Sequence, residues 1–187
     1  MSLVHEKQVL RQQVIEQCNQ LSGIDRVNKE DLTLQNIIPL LNQVKSVMLY
    51  HAHGYELNPK SIYTYCSSHH KQIFQPVAYK TTNEMKIAQY NENNTNIFSA
   101  LDCEIEDSIQ WYNIGLIILP LVAVDNYGNR LGKGGGYYDR TLANLKQRNN
   151  ILCGIGFSCQ LIQEQLPNED FDIKIDYFAS DKGLIKF

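Results

Sequence analysis

The sequence predicts an α/β fold with a largely parallel sheet, and three observations support that prediction. Short runs rich in Val, Ile and Leu, bounded by turn residues, recur along the chain, as at 115–119. Between these runs, apolar residues repeat at three and four positions, which is the period of an amphipathic helix. Most of the expected strands are apolar throughout, as parallel strands buried on both faces are. Strands alternating with helices in this way favour an α/β sandwich.

The first half of the chain predicts three helices and three strands. An amphipathic helix is expected from about Glu6 to Leu21, because its apolar residues repeat at four and three. Further along, Asn58-Pro59 is typical of a helix start. The other expected elements here are a helix over 32–43 and strands over 44–50, 73–77 and 85–90.

The second half begins with a polar stretch, Asn91 to Ile109, that has no clear period and is interpreted as a long irregular connection. A central strand is expected from Gly115 to Leu119, ended by Pro120. The remaining expected elements are a helix after Asp139 through Leu142 and Leu145, a strand over 151–157, and a closing pair over 172–178 and 184–187.

Composition and charge limit the classes of function. The chain has 187 residues, 43% hydrophobic and 20% charged, which suits one well-filled core, so we expect a single domain over 1–187. The formal charge of -3 gives no overall attraction for a polyanion. Nucleic acid is therefore not an expected partner, although a local basic pocket for a small phosphate stays open.

Neither a membrane span nor an export signal is expected. The longest apolar run, 114–124, is interrupted by Gly115 and Pro120 and is far shorter than the ~20 residues of a membrane helix. The first residues lack the charged-then-apolar order of a signal peptide. Five cysteines without a Cys-x-x-Cys pair suit a reducing compartment, so the cytoplasm is the expected location.

The densest chemical signal is the segment 125–140, with the sequence DNYGNRLGKGGGYYDR. Five of the residues from Gly128 to Gly136 are glycine, and the segment lies between an expected strand and an expected helix. Bare backbone N–H groups in such a place can surround a phosphate, and Arg130 and Lys133 add two positive charges. The spacing fits neither a Walker loop nor a dinucleotide-binding fingerprint. A flexible surface loop that joins strand to helix is the alternative.

This segment closely resembles the signature of the 5-formyltetrahydrofolate cyclo-ligases, also called methenyltetrahydrofolate synthetases. Its Gly-Tyr-Tyr-Asp motif is highly specific, and the resemblance extends over nearly the whole chain. The matching positions are Lys7-x-x-x-Arg11, Glu56, Pro76, Met85, Leu119-Pro120, Val124-Asp125, Gly128 to Gly132, Gly134, Gly136 to Asp139, Gly154 to Phe157, Gln160, Leu166-Pro167 and Asp172-x-x-x-Asp176.

The resemblance implies a fold, an activity and partners. The family's fold is a three-layer α/β/α sandwich, similar to that of sugar-phosphate isomerases and CoA transferases. Its members close 5-formyltetrahydrofolate to 5,10-methenyltetrahydrofolate with ATP and Mg²⁺, and they release ADP and phosphate. An N-formyl amide is a poor electrophile, so its oxygen would first attack the γ-phosphate of ATP. Such a transfer needs alignment and charge neutralisation more than a side-chain nucleophile.

The resemblance also implies a role for each matching residue. The predicted ATP-binding residues are Lys7, Arg11, Arg130, Leu131, Gly132, Lys133, Gly134, Gly135, Gly136, Tyr137 and Tyr138, with Arg130, Lys133 and Tyr138 as catalytic residues. The predicted folate-binding residues are His51, Glu56, Lys133, Gly134, Gly135, Gly136 and Tyr137. Asp139 and Asp172 are the predicted ligands of Mg²⁺, a hard cation that takes carboxylate oxygens.

Five of these residues have a simpler interpretation. Lys7 and Arg11 stand four apart on one helix face, which is often merely solvated. Asp139 is also an acid favoured at a helix N-terminus, while Asp172 and Glu56 are ordinary surface acids in the simpler view.

The sequence departs from the family pattern at several positions. His51 stands where the family often has an apolar residue, and the usual Glu-Pro is missing from 102–111. Trp111 is interpreted as a core residue rather than a folate-stacking one, and the histidine pairs 51/53 and 69/70 as ordinary loop residues. Two other functions stay open: a non-catalytic nucleotide- or folate-binding protein, and an isomerase or transferase of phosphorylated sugars.

Overall fold

The computed structural model describes residues 2–79, 84–90, 110–143, 149–169 and 172–187. The predicted irregular connection over 91–109, the helical residue Leu145 and the cysteine Cys103 lie outside these residues.

Four helices and ten strands make up the described chain, with two short 3-10 helices. In chain order they are α1 Leu3–Asn19, α2 Gly23–Leu41, β1 Ser46–Met48, α3 Lys60–Ser68, β2 Gln72–Tyr79, β3 Glu84–Gln89, the 3-10 helix Trp111–Asn113, β4 Leu116–Leu119, β5 Ala123–Asp125, β6 Arg130–Leu131, α4 Tyr137–Ala143, β7 Ile151–Ile155, the 3-10 helix Ser158–Gln160, β8 Leu161–Ile162, β9 Tyr177–Ser180 and β10 Gly183–Lys186.

Seven of these strands form one sheet in the order β10-β9-β7-β4-β1-β2-β3. The five inner strands run parallel to one another. The two edge strands, β3 and β10, are antiparallel to their neighbours. The predicted largely parallel sheet is therefore confirmed.

Alternate residues of the inner strands enter two separate cores. Val47 and Leu116 pack into a core with residues of α1, α2 and α3. Met48 and Ile117 enter a second core on the opposite face, which contains Leu142 of α4. Because strand side chains alternate between faces, continuously apolar strands require cover on both sides. The three-layer α/β/α arrangement is confirmed.

A second, three-stranded sheet in the order β6-β5-β8 was not predicted. β5 pairs antiparallel with β6 and parallel with β8. The side chain of Gln160 supports it, donating from Nε2 to the carbonyls of Leu121 and Val122 at 2.9 and 3.0 Å. These strands are two or three residues long and carry no periodicity of their own.

Two boundaries differ from the prediction by five residues or more. The second helix begins at Gly23 rather than Leu32, because Ser22 caps it: Ser22 Oγ accepts a hydrogen bond from the Asp25 amide at 3.1 Å. The penultimate strand begins at Tyr177 rather than Asp172, and Asp176 Oδ2 accepts from the Leu152 amide at 2.8 Å just before it. Across the part of the chain that the structure describes, no helix combines the length and apolarity needed to span a bilayer.

Candidate active site

A cavity of about 730 Å³ opens beside the carboxyl ends of strands β1 and β4. Its walls come from α1, the loop after β1, strand β2, the glycine-rich segment with the start of α4, and the two acids Glu169 and Asp172. Crevices at the carboxyl ends of parallel strands are the usual place for ligands in open α/β sheets. Every residue that the sequence predicts for the site lines this cavity.

The turn between β5 and β6 gives the glycine-rich segment a fixed start. The buried Asp125 carboxylate accepts from the amides of Tyr127 and Asn129 through Oδ1, at 2.8 and 3.0 Å. Its Oδ2 accepts from Asn129 Nδ2 at 2.7 Å and from the Leu166 amide at 2.9 Å. At Gly128 φ is +76° and an added Cβ would stand 2.7 Å from a backbone oxygen, so only glycine fits there.

Arg130, the first residue of β6, extends into the site. One terminal nitrogen donates to the Pro120 carbonyl at 3.0 Å and the other to Asp139 Oδ1 at 2.9 Å. The side chain is only 3% exposed, and its Nε is buried without an acceptor among the described residues. A buried N–H of this kind is destabilising until an acceptor reaches it. Arg130 is thus a fixed positive charge with a donor still available.

Lys7 of α1 meets two acids on the opposite wall. Its Nζ donates to Asp172 Oδ2 at 2.6 Å and to Glu169 Oε2 at 2.8 Å. Burial lowers the pKa of Lys7, but the hydrogen bonds to Asp172 and Glu169 outweigh it, so the pKa is raised overall. Lys7 is therefore a permanent cation rather than a proton donor at neutral pH.

Arg11, one helical turn after Lys7, reaches the glycine-rich segment. Its Nε donates to the Gly132 carbonyl at 2.8 Å. Its guanidinium lies 3.6 Å from the position that a Cβ on Gly134 would occupy, and φ at Gly134 is +97°. Glycine adopts this φ readily and has no side chain, so the Arg11 guanidinium can lie against the backbone of the loop at Gly134.

A further arginine, Arg140 in α4, holds the other end of the glycine-rich segment. It donates to the Gly135 carbonyl at 2.8 Å, and its guanidinium carbon lies 5.4 Å from the centre of the Tyr137 ring. A Cβ on Gly136 would approach the Arg140 guanidinium to 2.7 Å. Two arginines from two helices therefore fix the loop between them.

The far end of the cavity is organised by Glu56, which the sequence predicts as a folate contact. Its side chain is only 3% exposed, with Oε2 accepting from the His53 amide at 2.7 Å and Oε1 paired with Lys133 Nζ at 2.8 Å. The Lys133 ammonium also lies 5.6 Å from the centre of the Tyr55 ring. Glu56 is a buried carboxylate with a fixed orientation, so the simpler interpretation of a surface acid is wrong.

Aromatic residues complete the wall between the two ends. Burial raises the pKa of Tyr138, so its hydroxyl is protonated at neutral pH, and Arg130 lies 5.8 Å from the centre of its ring. Burial lowers the pKa of His51, which is therefore neutral, and its ring stacks on Tyr63 with centroids 6.1 Å apart. Trp111 is buried in the second core and donates to the Met85 carbonyl at 3.3 Å, which confirms it as a core residue.

The two predicted metal ligands lie side by side. Asp139 Oδ1 accepts from the amide of Ile173 at 3.3 Å, the residue that follows Asp172. Within the described residues, the hydrogen bonds to Asp139 all reach Oδ1 and those to Asp172 all reach Oδ2. Each carboxylate keeps one oxygen for a cation, which fits the one or two protein carboxylates that Mg²⁺ usually takes. No group of three or more metal-ligating side chains exists among the residues described.

Three contacts made by residues of the site were not predicted from the sequence. They are Glu169 on Lys7, Tyr55 under Lys133, and Arg140 on the glycine-rich segment. Arg140 directly follows the Gly-Tyr-Tyr-Asp motif, so its position in the sequence could have predicted a contact with the glycine-rich segment. No sequence feature predicts the contacts of Glu169 and Tyr55, because their partners are distant in the sequence.

Known proteins resemble this chain along most of its length. The model of the 5-formyltetrahydrofolate cyclo-ligase family matches residues 4–179. The 5-formyltetrahydrofolate cyclo-ligase of Haemophilus influenzae is 26% identical over 179 residues, covering 91% of this chain and 95% of that protein.

Two solved structures share the fold. The 5,10-methenyltetrahydrofolate synthetase of Mycoplasma pneumoniae superposes with a TM-score of 0.77 at 21% identity, over 94% of this chain and 99% of that one. The NMR structure of the Aquifex aeolicus 5,10-methenyltetrahydrofolate synthetase also gives 0.77, at 25% identity, over 96% and 92%.

Proposed function

The chain belongs to the 5-formyltetrahydrofolate cyclo-ligase family, a family of ligases, and from this premise we propose that it closes 5-formyltetrahydrofolate to 5,10-methenyltetrahydrofolate at the expense of ATP. The products would be the methenyl folate, ADP and phosphate. One observation carries the proposal: a single cavity brings Lys7, Arg11 and Arg130 together around the glycine-rich segment. These residues come from distant parts of the sequence, and phosphoryl transfer needs such a set of cations.

The triphosphate would lie between α1 and the glycine-rich segment. Lys7 and Arg130 are the least exposed cations on this wall, at 10% and 3% side-chain exposure. Positive charge in a site with little water acts on phosphate oxygens more strongly than it would in bulk water. The unpaired Nε of Arg130 would gain an acceptor there, which favours a bound phosphate over an empty site.

Asp139 and Asp172 would hold Mg²⁺ through the oxygens that carry no protein hydrogen bond. When bound, Mg²⁺ would neutralise part of the negative charge on the transferring phosphate. Arg130 and Lys7 already touch these two carboxylates, so the same residues would contact both the acids and the phosphate oxygens.

The folate would enter from the end where Glu56 lies. A carboxylate whose orientation is fixed by the His53 amide can accept hydrogen bonds from the pterin ring N–H and amino groups. Lys133 is 46% exposed and pairs with Glu56, so it stands between the folate end and the phosphate end. The Tyr137 ring would offer a flat surface to the ligand.

The reaction would proceed in two transfers. The formyl oxygen attacks the γ-phosphorus of ATP and ADP leaves, which gives an iminium phosphate. Nitrogen 10 then bonds to the formyl carbon and loses its proton, and phosphate departs as the ring closes. The hydroxyl of Tyr138, protonated because its pKa is raised, can donate to an oxygen that gains charge. The Lys133 ammonium would likewise donate a hydrogen bond to an oxygen that gains charge, at the boundary of the two substrates.

An absorbance assay for the methenyl product, run with and without ATP, tests the function. Product should form only when ATP and Mg²⁺ are both present. Binding of folate and nucleotide without any product would instead favour a non-catalytic binding protein. Product formed equally well without ATP would contradict the proposal.

The role of Arg130 can be tested with Arg130→Lys, which keeps the charge but loses the fork of donors. We expect kcat/KM for ATP to fall about 100-fold, as when one donor of a preorganised anion site is removed, with folate binding unchanged. Arg26→Lys is the matched control, since Arg26 contacts Cys18 and Phe157 outside the cavity. Equal kinetics for Arg130→Lys and the parent would exclude the phosphate role.

A further inference from the structure

Two cysteines that the proposed reaction does not use lie in contact. Cys18 is in the last turn of α1, and Cys159 is in the 3-10 helix that follows β7. Their sulfur atoms are 3.8 Å apart, although the residues are 141 positions apart in the chain. A disulfide has a sulfur–sulfur distance of about 2.05 Å, so the two atoms would have to approach by about 1.7 Å.

Arg26 holds the two segments together. Its terminal nitrogen donates to the Cys18 carbonyl at 2.8 Å, and its guanidinium carbon lies 5.1 Å from the centre of the Phe157 ring. Phe157 caps the 3-10 helix that contains Cys159. One side chain thus contacts both segments, so the sulfur contact has structural support on both sides.

The two thiols differ in access and in protonation. Cys18 is fully buried, whereas Cys159 is partly exposed. The hydrogen bond from Cys18, helped by the charge of Lys29, lowers the pKa of Cys159 to about 7, while the same contact and burial raise the pKa of Cys18. Cys159 is therefore the more accessible and the more acidic thiol of the pair, and Cys18 is the buried thiol beside it.

The other described cysteines have no such arrangement. Cys66 and Cys153 are buried, and burial raises the pKa of both, that of Cys66 to about 11. Buried thiols of this kind are unreactive, so they serve as internal controls.

We propose that Cys159 and Cys18 form a reversible disulfide when the chain meets a hydroperoxide. The Cys159 thiolate attacks one peroxide oxygen, which breaks the O–O bond and gives a sulfenic acid and hydroxide. The Cys18 thiol then attacks the Cys159 sulfur, and water leaves as the S–S bond forms. Overall, two thiols are oxidised to one disulfide and one hydrogen peroxide is reduced to two waters. The proton released when Cys159 ionises converts the hydroxide to the second water. A dithiol reductant reverses the change by exchange.

The bond would also affect the cavity, and this consequence depends on the proposed function. Lys7, Arg11, Val14 and Cys18 repeat at four, three and four along α1, so they share one helix face. Drawing Cys18 toward Cys159 displaces a helix that carries two of the proposed phosphate contacts. A misplacement of about 1 Å can be costly in an aligned site, so we expect a several-fold rise in KM for ATP.

Peptide mapping of the full chain tests the bond directly. The reduced protein is treated with hydrogen peroxide, alkylated and digested with trypsin. Cys18 lies in fragment 12–26, Cys66 in 61–71 and Cys103 in 87–130, while Cys153 and Cys159 share 149–174. We expect fragments 12–26 and 149–174 to be joined, with fragment ions placing the bond at Cys159, and dithiothreitol to separate them. Cys159 oxidised to sulfinic acid with Cys18 still alkylated, or joined instead to Cys103, would overturn the proposal.

Single-residue variants distinguish the role of Cys159, which reacts with the peroxide, from that of Cys18, which completes the disulfide. Cys159→Ser should leave Cys18 unoxidised, whereas Cys18→Ala should leave a Cys159 sulfenic acid that dimedone traps. Cys66→Ser is the matched control and should still cross-link. Cross-linking of Cys18 in Cys159→Ser would overturn the assignment.

Kinetics measured on the same samples test the link to the cavity. Oxidation should raise KM for ATP several-fold in the parent and in Cys66→Ser, but not in Cys159→Ser. An unchanged KM in a fully cross-linked sample would disprove the link and leave the bond established. Absence of ATP-dependent turnover in the reduced protein would contradict the proposed function alone, since the mapping does not depend on activity.

Discussion

Two aspartates at the ends of the glycine-rich segment have opposite surroundings. Asp125 is fully buried, and both of its oxygens accept two hydrogen bonds from the protein. Asp139 is partly exposed to the cavity, and within the described residues only its Oδ1 accepts hydrogen bonds, from Arg130 and Ile173. A carboxylate has about four acceptor sites. Asp125 therefore has no acceptor left for a ligand, whereas Asp139 has.

A second pair of aspartates shows the same difference. Asp181 accepts through both oxygens, from the Ser158 amide and from Ser158 Oγ and Lys29 Nζ. The hydrogen bonds to Asp172 reach Oδ2 alone, from Lys7 and the Glu169 amide, within the part of the chain that is described. Among these four aspartates, both oxygens are filled on the two structural carboxylates, whereas one oxygen stays open on each of the two that line the cavity.

The largest expected effect is on stability, at Asp125. Asp125→Ala leaves the buried amides of Asn129 and Leu166, and the part-buried amide of Tyr127, without this acceptor, so we expect the free energy of unfolding to fall by about 3–5 kcal/mol. Chemical denaturation followed by circular dichroism measures it. Asn126→Ala is the control, because its contact with Gln163 is exposed and should contribute less than about 0.5 kcal/mol. Equal stability of the two variants would contradict the interpretation of Asp125 as a carboxylate that stabilises the fold.

Substitution of Asp139, in contrast to Asp125, should reduce activity much more than stability. Asp139→Asn keeps an acceptor for Arg130 and Ile173 but removes the charge that pairs with Arg130, so we expect the free energy of unfolding to fall by about 1–2 kcal/mol, well below the loss for Asp125→Ala. We expect kcat to fall about 100-fold and the Mg²⁺ requirement to rise, because the open oxygen loses its charge. Magnesium titration at fixed ATP measures it, with Asp181→Asn as the control that keeps normal turnover. An unchanged titration for Asp139→Asn would exclude it as a metal ligand.

A smaller effect is expected where α1 meets the glycine-rich segment. Arg11→Lys removes the donor to the Gly132 carbonyl and the flat contact with Gly134 but keeps the charge. We expect KM for ATP to rise about tenfold, roughly the loss of one charge-assisted hydrogen bond. Steady-state kinetics measure it, with the exposed neighbour Gln12→Ala as control. Identical KM values for Arg11→Lys and the parent would show that the contact only supports the fold.

The sequence predicted the central strands because burial on both faces demands continuous apolar runs. The run before Pro120 became strand β4 at Leu116–Leu119, in the middle of the sheet. The first nine residues of α2, from Gly23, carry few apolar residues, and the Ser22 cap decides their conformation instead. The second sheet could not be predicted, because its strands depend on hydrogen bonds that Asp125 accepts and Gln160 donates, and these form only after folding.

For the candidate site, the sequence predicted residues that line the cavity but not the contacts between them. The family pattern placed Lys7 and Asp172 in the site, and both line the cavity. That these two residues form an ion pair, with Glu169 as a third member, depends on a contact spanning more than 160 positions. Such pairs are decided by how α1 packs against the sheet, which no local pattern encodes.

The smallest expected effect is the pH dependence of stability at Asp181, the second structural carboxylate. Burial raises the pKa of Asp181, but hydrogen bonds from Lys29 and Ser158 outweigh it, so the pKa in the folded protein is lowered. A lowered pKa stabilises the folded state above the unfolded-state value, about 3.9, and this contribution is lost as the pH falls through the folded value. We therefore expect Asp181→Asn to be about 1 kcal/mol less stable than the parent at pH 7, as for a hydrogen-bonded ion pair. Denaturation curves at decreasing pH should show the two proteins converging below about pH 4. If the difference in free energy of unfolding between the two proteins stayed constant down to acid pH, the charge of Asp181 would make no contribution to stability. The hydrogen bonds to its two oxygens would then have no electrostatic importance.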